Sequence, residues 1–256
     1  MIQVDSLTKL YGNSVAVEDL SFSVQPGEIL GLVGPNGAGK TTTLRCMVGI
    51  LRPTRGHVSL NGHDIVADPV EAKRQFAYMP DEPRLFDYLT VREHLQLSAR
   101  LYQVQDGVAR GEALLEELEL KGKESALPSE LSRGMKQKLN IACGLLHSPK
   151  ILLFDEPLTG LDPMGIRRMK ATIVQRAKEG ASIIVSSHLL HLLEEIADRI
   201  LIILNGHKKA HGTREEIRIQ VPELAADASL EDIFISMASQ GDARPAGGGS
   251  VPPLGS

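Results

Sequence analysis

The sequence predicts an α/β fold with a mixed central sheet, because buried strands alternate with helices along the chain. Three apolar runs have the length and composition of strands buried on both faces, and they are residues 151–154, 182–186 and 200–204. Between the first two runs, apolar residues recur at the spacing of one helix face, at Ile166, Met169, Ile173 and Ala177. Strands joined in this way form a mostly parallel sheet with helices on its faces.

The first third of the chain adds an antiparallel part to this fold. Apolar and polar residues mostly alternate over residues 1–30, and Asn61-Gly62 marks a tight hairpin turn. We therefore predict an antiparallel β subdomain built from residues 1–30 and 55–80. Ile29 to Val33 is predicted as a buried strand, and the residues from Thr41 to Ile50 are predicted as a helix.

Helical periodicity dominates residues 84–147, which predicts a helical subdomain. Near the end of the chain, Ser229 followed by Asp232 is typical of a capped helix, which we expect to run to about Ser239. These features predict one domain over residues 1–240, with a C-terminal extension at about 205–240. Residues 241–256 contain consecutive glycines and several prolines, which predicts a disordered tail.

The composition limits the classes of function. The 256 residues are 42% hydrophobic and 23% charged, as in globular proteins, and the formal net charge is −4. This charge provides no broad basic field, so we expect no nucleic-acid partner. Cys46 and Cys143 lie in apolar helical patterns, which favours reduced core thiols. We expect neither a signal peptide nor a membrane span, because no uncharged apolar run approaches the roughly 20 residues that a span needs.

The most specific motif is a glycine-rich loop between a predicted strand and a predicted helix. It fits the pattern G-x-x-x-x-G-K-[ST], and its residues are Gly34, Pro35, Asn36, Gly37, Ala38, Gly39, Lys40 and Thr41. The backbone N–H groups of such a P-loop surround phosphate oxygens at the positive end of a helix. We expect Lys40 to bridge the β- and γ-phosphates, Thr41 to bind Mg²⁺, and Thr42 to reach the α-phosphate. A structural turn is the alternative.

Polar side chains follow two of the predicted buried strands. Asp155 and Glu156 come directly after residues 151–154, and His188 follows the strand at 182–186. Because open α/β sheets bind ligands at the carboxyl ends of their strands, we predict Asp155 in the metal shell and Glu156 as the base that deprotonates the attacking water. The imidazole of His188 is placed to hydrogen-bond a γ-phosphate. The alternatives are a helix start for the acidic pair and a structural histidine.

A second loop, Leu131 to Met135, opens a predicted helix and offers a second anion site. Ser132 and the N–H of Gly134 are expected to face outward there. The second loop is not placed to reach the P-loop of its own chain. We therefore predict that it covers the γ-phosphate held by another copy, which gives two ATP molecules sandwiched between two subunits.

These motifs, in this order and with Leu161-Asp162 after them, resemble the ATPase subunit of ABC transporters over roughly residues 1–210. The resemblance implies a P-loop NTPase fold of the ABC ATPase type and the hydrolysis of ATP with Mg²⁺. It also implies that Tyr11 stacks on adenine, that Asp162 crosses the dimer interface, and that His188 links the γ-phosphate to Glu156. For Tyr11, an ordinary tyrosine at a strand end is the alternative.

The sequence departs from the family pattern at three positions. Asp81 stands where the family usually has a glutamine, and we assign it to the metal site; a simple turn over residues 81–83 is the alternative. Arg133 and Met135 replace the usual glycine and glutamine of the second loop. This variant loop resembles exporter ATPases that pair with separate membrane subunits.

The resemblance predicts an ATP-hydrolysing subunit that pairs with a second copy or a related ATPase subunit and drives export through transmembrane permease subunits. We expect those permeases to dock around residues 81–102 and to hold the cytoplasmic chain at the inner face of the membrane. The alternatives are an ABC-type ATPase that acts as a non-transport clamp or remodelling factor, or one that regulates a membrane complex. A GTP-dependent switch is disfavoured, because the chain has no Asn-Lys-x-Asp element.

Overall fold

The computed structural model describes residues 1–222, 224–225 and 227–241. The strands are β1 (Ile2–Tyr11), β2 (Ser14–Val24), β3 (Ile29–Val33), β4 (Arg55–Leu60), β5 (His63–Asp64), β6 (Phe76–Met79), β7 (Ile151–Asp155), β8 (Ser182–Ser186), β9 (Arg199–Leu204) and β10 (His207–Gly212). The helices are α1 (Lys40–Met47), α2 (Pro69–Gln75), α3 (Val91–Leu101), α4 (Gly107–Glu117), α5 (Arg133–Leu145), α6 (Pro163–Lys178), α7 (Leu190–Glu194), α8 (Arg214–Arg218) and α9 (Leu230–Gly241). Apart from Gly241, the predicted tail lies outside the described residues.

The central sheet has six strands in the order β10-β9-β3-β8-β7-β6. Neighbouring strands from β9 to β6 are parallel, and β10 pairs antiparallel with β9. This confirms the predicted α/β fold with a mixed sheet. The order places β8 between β3 and β7, so the carboxyl ends of these three strands lie side by side at one edge of the sheet.

The apolar runs are explained by two hydrophobic cores, one on each face of the central sheet. Along β7, Leu152 and Phe154 belong to the core under the helices α3 to α6, whereas Ile151 and Leu153 belong to the core shared with the antiparallel sheet and α1. Successive side chains of a strand point to opposite faces, so a strand covered on both faces is apolar at every position.

The antiparallel sheet has the strand order β2-β1-β4-β5. It therefore contains less of the chain than the range predicted for it. Residues 69–75 form α2, with Pro69 at the first helical position, and β6 pairs in parallel with β7 in the central sheet. The prediction was wrong over residues 69–80 because a short apolar strand such as β6 shows no alternation that would separate the two sheets.

The helices α3, α4 and α5 pack against one another on one face of the central sheet, within the range predicted as a helical subdomain. At the other end of the chain, α9 packs on α7 and α8. Its predicted cap is confirmed, since the Ser229 hydroxyl accepts from the Asp232 N–H at 3.1 Å and the Asp232 carboxylate accepts from the Ser229 N–H at 3.0 Å. Whether these two regions act as separate units stays a prediction. Across the described ranges, every helix is too short or too polar to cross a membrane.

Candidate nucleotide site

The P-loop connects β3 to α1, and its glycines are dictated by close backbone contacts. A Cβ on Gly34 would lie 2.4 Å from the carbonyl oxygen of Ile203. Gly39 has a φ of +107° immediately before α1, and a Cβ there would lie 2.5 Å from the carbonyl oxygen of Ala16. Both positions therefore require glycine. Because neither carries a side chain, a ligand can approach the backbone N–H groups of the loop.

Lys40 is held inside the P-loop. Its Nζ donates to the carbonyl oxygens of Gly34 at 2.6 Å and Pro35 at 3.3 Å, and it lies 4.0 Å from Oε1 of Glu156. The residue is only 6% exposed. Burial lowers the pKa of Lys40, an effect that the nearby Glu156 and Asp155 carboxylates oppose. A buried ammonium with carbonyl partners is already positioned for a phosphate.

Asp155 is fixed by three hydroxyl groups from three different elements. Its Oδ1 accepts from Ser186 at 2.6 Å and from Thr41 at 3.3 Å, and its Oδ2 accepts from Tyr78 at 3.3 Å. The side chain is almost fully buried at the end of β7. Thr41 and Asp155, two of the three residues predicted to bind metal, are thus in direct contact.

Glu156 follows Asp155 with a φ of +51°, a left-handed conformation that is unusual for a residue with a side chain. Its N–H donates to the Ser186 carbonyl at 3.1 Å, and its Oε2 contacts Nδ1 of His188 at 2.8 Å. The His188 N–H also donates to Oε2, at 3.3 Å. The backbone turn thus aims the carboxylate between Lys40 and His188, and strain of this kind recurs at functional sites.

The P-loop, Ala16, Asp81 and Glu156 line a cleft of about 240 Å³. Within the described ranges, no three His, Cys, Asp or Glu side chains are grouped closely enough to hold a metal ion by themselves. Mg²⁺ is usually bound by one or two carboxylates together with substrate phosphates, and it prefers oxygen ligands. The Thr41 hydroxyl and the Asp155 carboxylate, with Asp81 at the side of the cleft, are a donor set that fits Mg²⁺.

The second loop lies outside this cleft. Ser132 is the N-cap of α5, and its hydroxyl accepts from the Met135 N–H at 3.3 Å. A Cβ on Gly134 would lie 3.3 Å from the Leu161 side chain, so the second loop adjoins the turn that precedes α6. Asp162 caps α6 by accepting from the Gly165 N–H at 2.7 Å. The structure therefore places Gly134 against Leu161, the residue before Asp162, and none of Ser132, Gly134 and Asp162 lines the cleft beside the P-loop.

Tyr11 ends β1, is about half exposed, and has the Lys9 ammonium 5.2 Å from its ring centre. It is not among the residues that line the cleft. Its predicted stacking on adenine stays a prediction.

Two side chains that orient Asp155, those of Ser186 and Tyr78, were not predicted from the sequence. Ser186 is the last residue of β8 and Tyr78 lies in β6, the two neighbours of β7. A polar residue at the end of an otherwise apolar strand was the available signal for Ser186. Tyr78 had no such signal, because its role depends on the pairing of β6 with β7, which only the sheet order reveals.

The P-loop, the buried Asp155 carboxylate and the adjacent acid and histidine at one sheet edge define a P-loop nucleoside triphosphatase. The chain matches the ABC transporter family over residues 17–159. It is 36% identical over 242 residues to the ABC-type transporter ATP-binding protein EcsA of Bacillus subtilis (strain 168), which covers 94% of this chain and 97% of EcsA.

Two further comparisons agree with this match. The SkfA peptide export ATP-binding protein SkfE of Bacillus subtilis (strain 168) is 38% identical over 208 residues, which cover 80% of this chain and 86% of SkfE. A solved structure of an ATP-binding subunit of an ABC transporter superposes with a TM-score of 0.87 at 37% identity, over 93% of this chain and 99% of that one. The chain belongs to the ABC transporter family of ATP-binding proteins, and its activity is the hydrolysis of ATP.

Proposed function

We propose that this chain is the ATPase subunit of an exporter and that it works as a pair, with a second copy or a related subunit supplying half of each ATP site. The observation that carries the proposal is the separation of the two phosphate-binding halves within one chain. Lys40 and Glu156 lie in the cleft, whereas Ser132 is exposed on the second loop. Ser132 and Asp162 are both exposed, and Gly134 of the second loop lies against Leu161, so a partner can reach both segments.

In the closed pair, the P-loop N–H groups and Lys40 of one chain would bind the phosphates, and Ser132 and the Gly134 N–H of the other chain would cover the γ-phosphate. Mg²⁺, held by Thr41 and Asp155 with Asp81 nearby, would neutralise part of the phosphate charge.

Glu156 would take a proton from the attacking water. The water oxygen would bond to the γ-phosphorus while the bond between the γ-phosphorus and the oxygen of the leaving ADP breaks. The contacts of His188 with Oε2 would hold the Glu156 carboxylate in position.

In this proposal, the permease subunits dock on the surface formed by residues 81–102. Phe86 is 61% exposed and Tyr88 is 93% exposed, so two aromatic rings are accessible in the segment between Asp81 and α3, with the Phe86 ring 6.0 Å from that of His94. Exposed aromatic residues are typical anchors of protein interfaces. The similarity to SkfE, named for peptide export, supports the direction of transport. Docked permease subunits would place the chain at the cytoplasmic face of the membrane.

The pairing is tested by measuring the mass in solution of a Glu156→Gln chain with Mg-ATP, with Mg-ADP and without nucleotide. Loss of the base should trap the closed pair, so we expect twice the chain mass with Mg-ATP only. The proposal would be contradicted if the isolated variant kept the mass of a single chain at saturating Mg-ATP and the complex with membrane subunits also contained only one copy of it.

The docking surface is tested separately by charge reversal at an exposed residue of the 81–102 stretch. Arg84→Glu should reduce co-purification with the membrane subunits while leaving ATP hydrolysis by the isolated chain unchanged. Lys209→Glu is the matched control, because Lys209 is also exposed but lies on β10. Equal recovery of membrane subunits with Arg84→Glu, Lys209→Glu and the unmodified chain would rule out docking through this surface.

A further inference from the structure

Two of the positions at which the chain departs from its family pattern lie in contact with each other. The guanidinium Nη2 of Arg133 donates to Oδ1 of Asp81 at 3.3 Å, although the two residues are 52 positions apart. Asp81 lies just after β6 and lines the cleft, and Arg133 is the first residue of α5 in the second loop. One ion pair therefore connects the two halves of the phosphate machinery within a single chain.

The side chain of Arg133 also lies against the turn before α6. A Cβ on Gly160 would be 3.3 Å from Cδ and 3.4 Å from Nε of Arg133. The aliphatic part of the side chain thus crosses Gly160 while the guanidinium reaches Asp81. Arg133 thus lies against the segment that leads to Asp162. This one side chain of the second loop therefore contacts both that segment and Asp81.

Asp81 adds a negative charge to a cleft that the Glu156 carboxylate already lines, and the buried Asp155 carboxylate contacts Thr41 of the same cleft. A further carboxylate beside a triphosphate is unfavourable unless a cation compensates it. Arg133 supplies such a cation from the second loop. A metal ion bound with the nucleotide is a second cation that the same carboxylate oxygens attract.

We propose that Arg133 is a positioning residue for Asp81, which holds that carboxylate on the second loop in the nucleotide-free chain and releases it when Mg-ATP enters the cleft. The inference rests on the proposed role of Asp81 beside the metal. Guanidinium and metal compete for one carboxylate, so metal binding in the cleft frees Arg133 on the surface that faces the partner. By linkage, the factor by which the Arg133–Asp81 pair weakens metal binding equals the factor by which bound metal weakens that pair.

The ion pair has the properties of a reversible contact. The side chains of Arg133 and Asp81 are 58% and 45% exposed, and a single hydrogen bond joins them. Exposed pairs of this kind shift an equilibrium by roughly 1.5-fold to 5-fold. An ion pair that contributes so little can be broken when a metal ion displaces the guanidinium from Asp81.

The test is the Mg²⁺ concentration that half-saturates binding of a fluorescent ATP analogue to the full, isolated chain. Arg133→Gln removes the competing cation, so the half-saturating Mg²⁺ concentration should fall by about 1.5-fold to 5-fold. Arg133→Lys keeps the positive charge, so its half-saturating Mg²⁺ concentration should lie between those of the unmodified chain and Arg133→Gln. Arg168→Gln is the control, because it removes an ion pair with Glu119 at 2.5 Å that is not part of the cleft.

A double variant separates direct competition from a general change in charge. In an Asp81→Asn background the ion pair is absent, so adding Arg133→Gln should leave the Mg²⁺ dependence unchanged. A shift of the same size in both backgrounds, or none in either, would overturn the inference while Mg²⁺-dependent binding by the unmodified chain remained. Absence of Mg²⁺-dependent binding in the unmodified chain would instead count against the proposed function itself.

Discussion

The cleft and the second loop are both predicted to bind phosphate, but the structure organises them in opposite ways. Lys40 and Asp155 in the cleft are 6% and 2% exposed and have several hydrogen-bond partners each. Ser132 in the second loop is exposed, and its hydroxyl accepts one capping hydrogen bond, at 3.3 Å. The chain thus preorganises the cleft by itself, whereas the second loop would act on a partner in the proposed pair.

Sheet topology explains why the cleft residues lie together. The P-loop, Asp155 and His188 follow β3, β7 and β8, which are adjacent parallel strands buried on both faces. The second loop begins a helix at the surface and has no strand to fix it. Variants in the cleft should therefore affect chemistry or nucleotide binding, and variants at Ser132 and Gly134 of the second loop should affect pairing.

The largest effect is expected for Glu156→Gln in the cleft. Removing a general base typically lowers a rate by about 10²-fold to 10⁴-fold, so ATP turnover should fall by that factor while ATP affinity is kept. The measurement is steady-state phosphate release together with equilibrium nucleotide binding. Glu195→Gln is the control, because Glu195 pairs with Lys170 at the surface. Full turnover by Glu156→Gln would remove Glu156 from the mechanism.

Lys40→Ala should weaken nucleotide binding itself. A hydrogen bond to a charged group contributes about 1.5–3 kcal/mol, which corresponds to a loss of roughly 10-fold to 100-fold in ATP affinity. Binding to the isolated chain, measured by calorimetry, reports the change. Lys121→Ala removes a surface lysine paired with Glu116 and should leave the affinity unchanged. Equal affinities in all three chains would refute the phosphate role of Lys40.

Ser132→Ala should separate pairing from binding. The isolated chain should bind ATP as before, whereas the closed pair in a Glu156→Gln background should weaken by about 10-fold through the lost hydrogen bond to the γ-phosphate. Analytical ultracentrifugation with Mg-ATP measures the pair. Thr213→Ala removes a comparable helix cap from α8 and controls for the cap's contribution to stability. A change in single-chain ATP affinity would place Ser132 in its own cleft and break the comparison.

Tyr78→Phe should have the smallest effect. Burial and the neighbouring Asp155 carboxylate raise the pKa of Tyr78, so its hydroxyl stays protonated and donates to Asp155 at neutral pH. Loss of one such bond should raise the Mg²⁺ requirement for hydrolysis by about 2-fold to 5-fold. Tyr102→Phe is the control, since Tyr102 is also partly buried but stacks on His147. Equal Mg²⁺ requirements would show that Tyr78 does not support Asp155.

The sequence predicted the cleft well because its chemistry lies in short contiguous motifs at strand ends. Lys40, Thr41, Asp155, Glu156 and His188 meet where the parallel strands predicted from apolar runs end. It did not predict the placement of β6, the hydroxyl contacts of Ser186 and Tyr78, or the Asp81–Arg133 pair. Each of these depends on which distant segments become neighbours, and local periodicity contains no information about that order.

The claim that each ATP site combines two chains is tested most directly by mixing two variants that are each defective in one half. Lys40→Ala damages the cleft. Gly134→Asp places a negative charge in the first turn of α5, a position that is electrostatically favourable for an acidic side chain, and the Leu161 side chain 3.3 Å from the added Cβ must shift slightly. A mixed pair contains one site with an intact cleft and an intact second loop. We predict that each variant alone hydrolyses little ATP and that the mixture regains activity. No gain on mixing, or full activity of Gly134→Asp alone, would contradict a site shared between two chains.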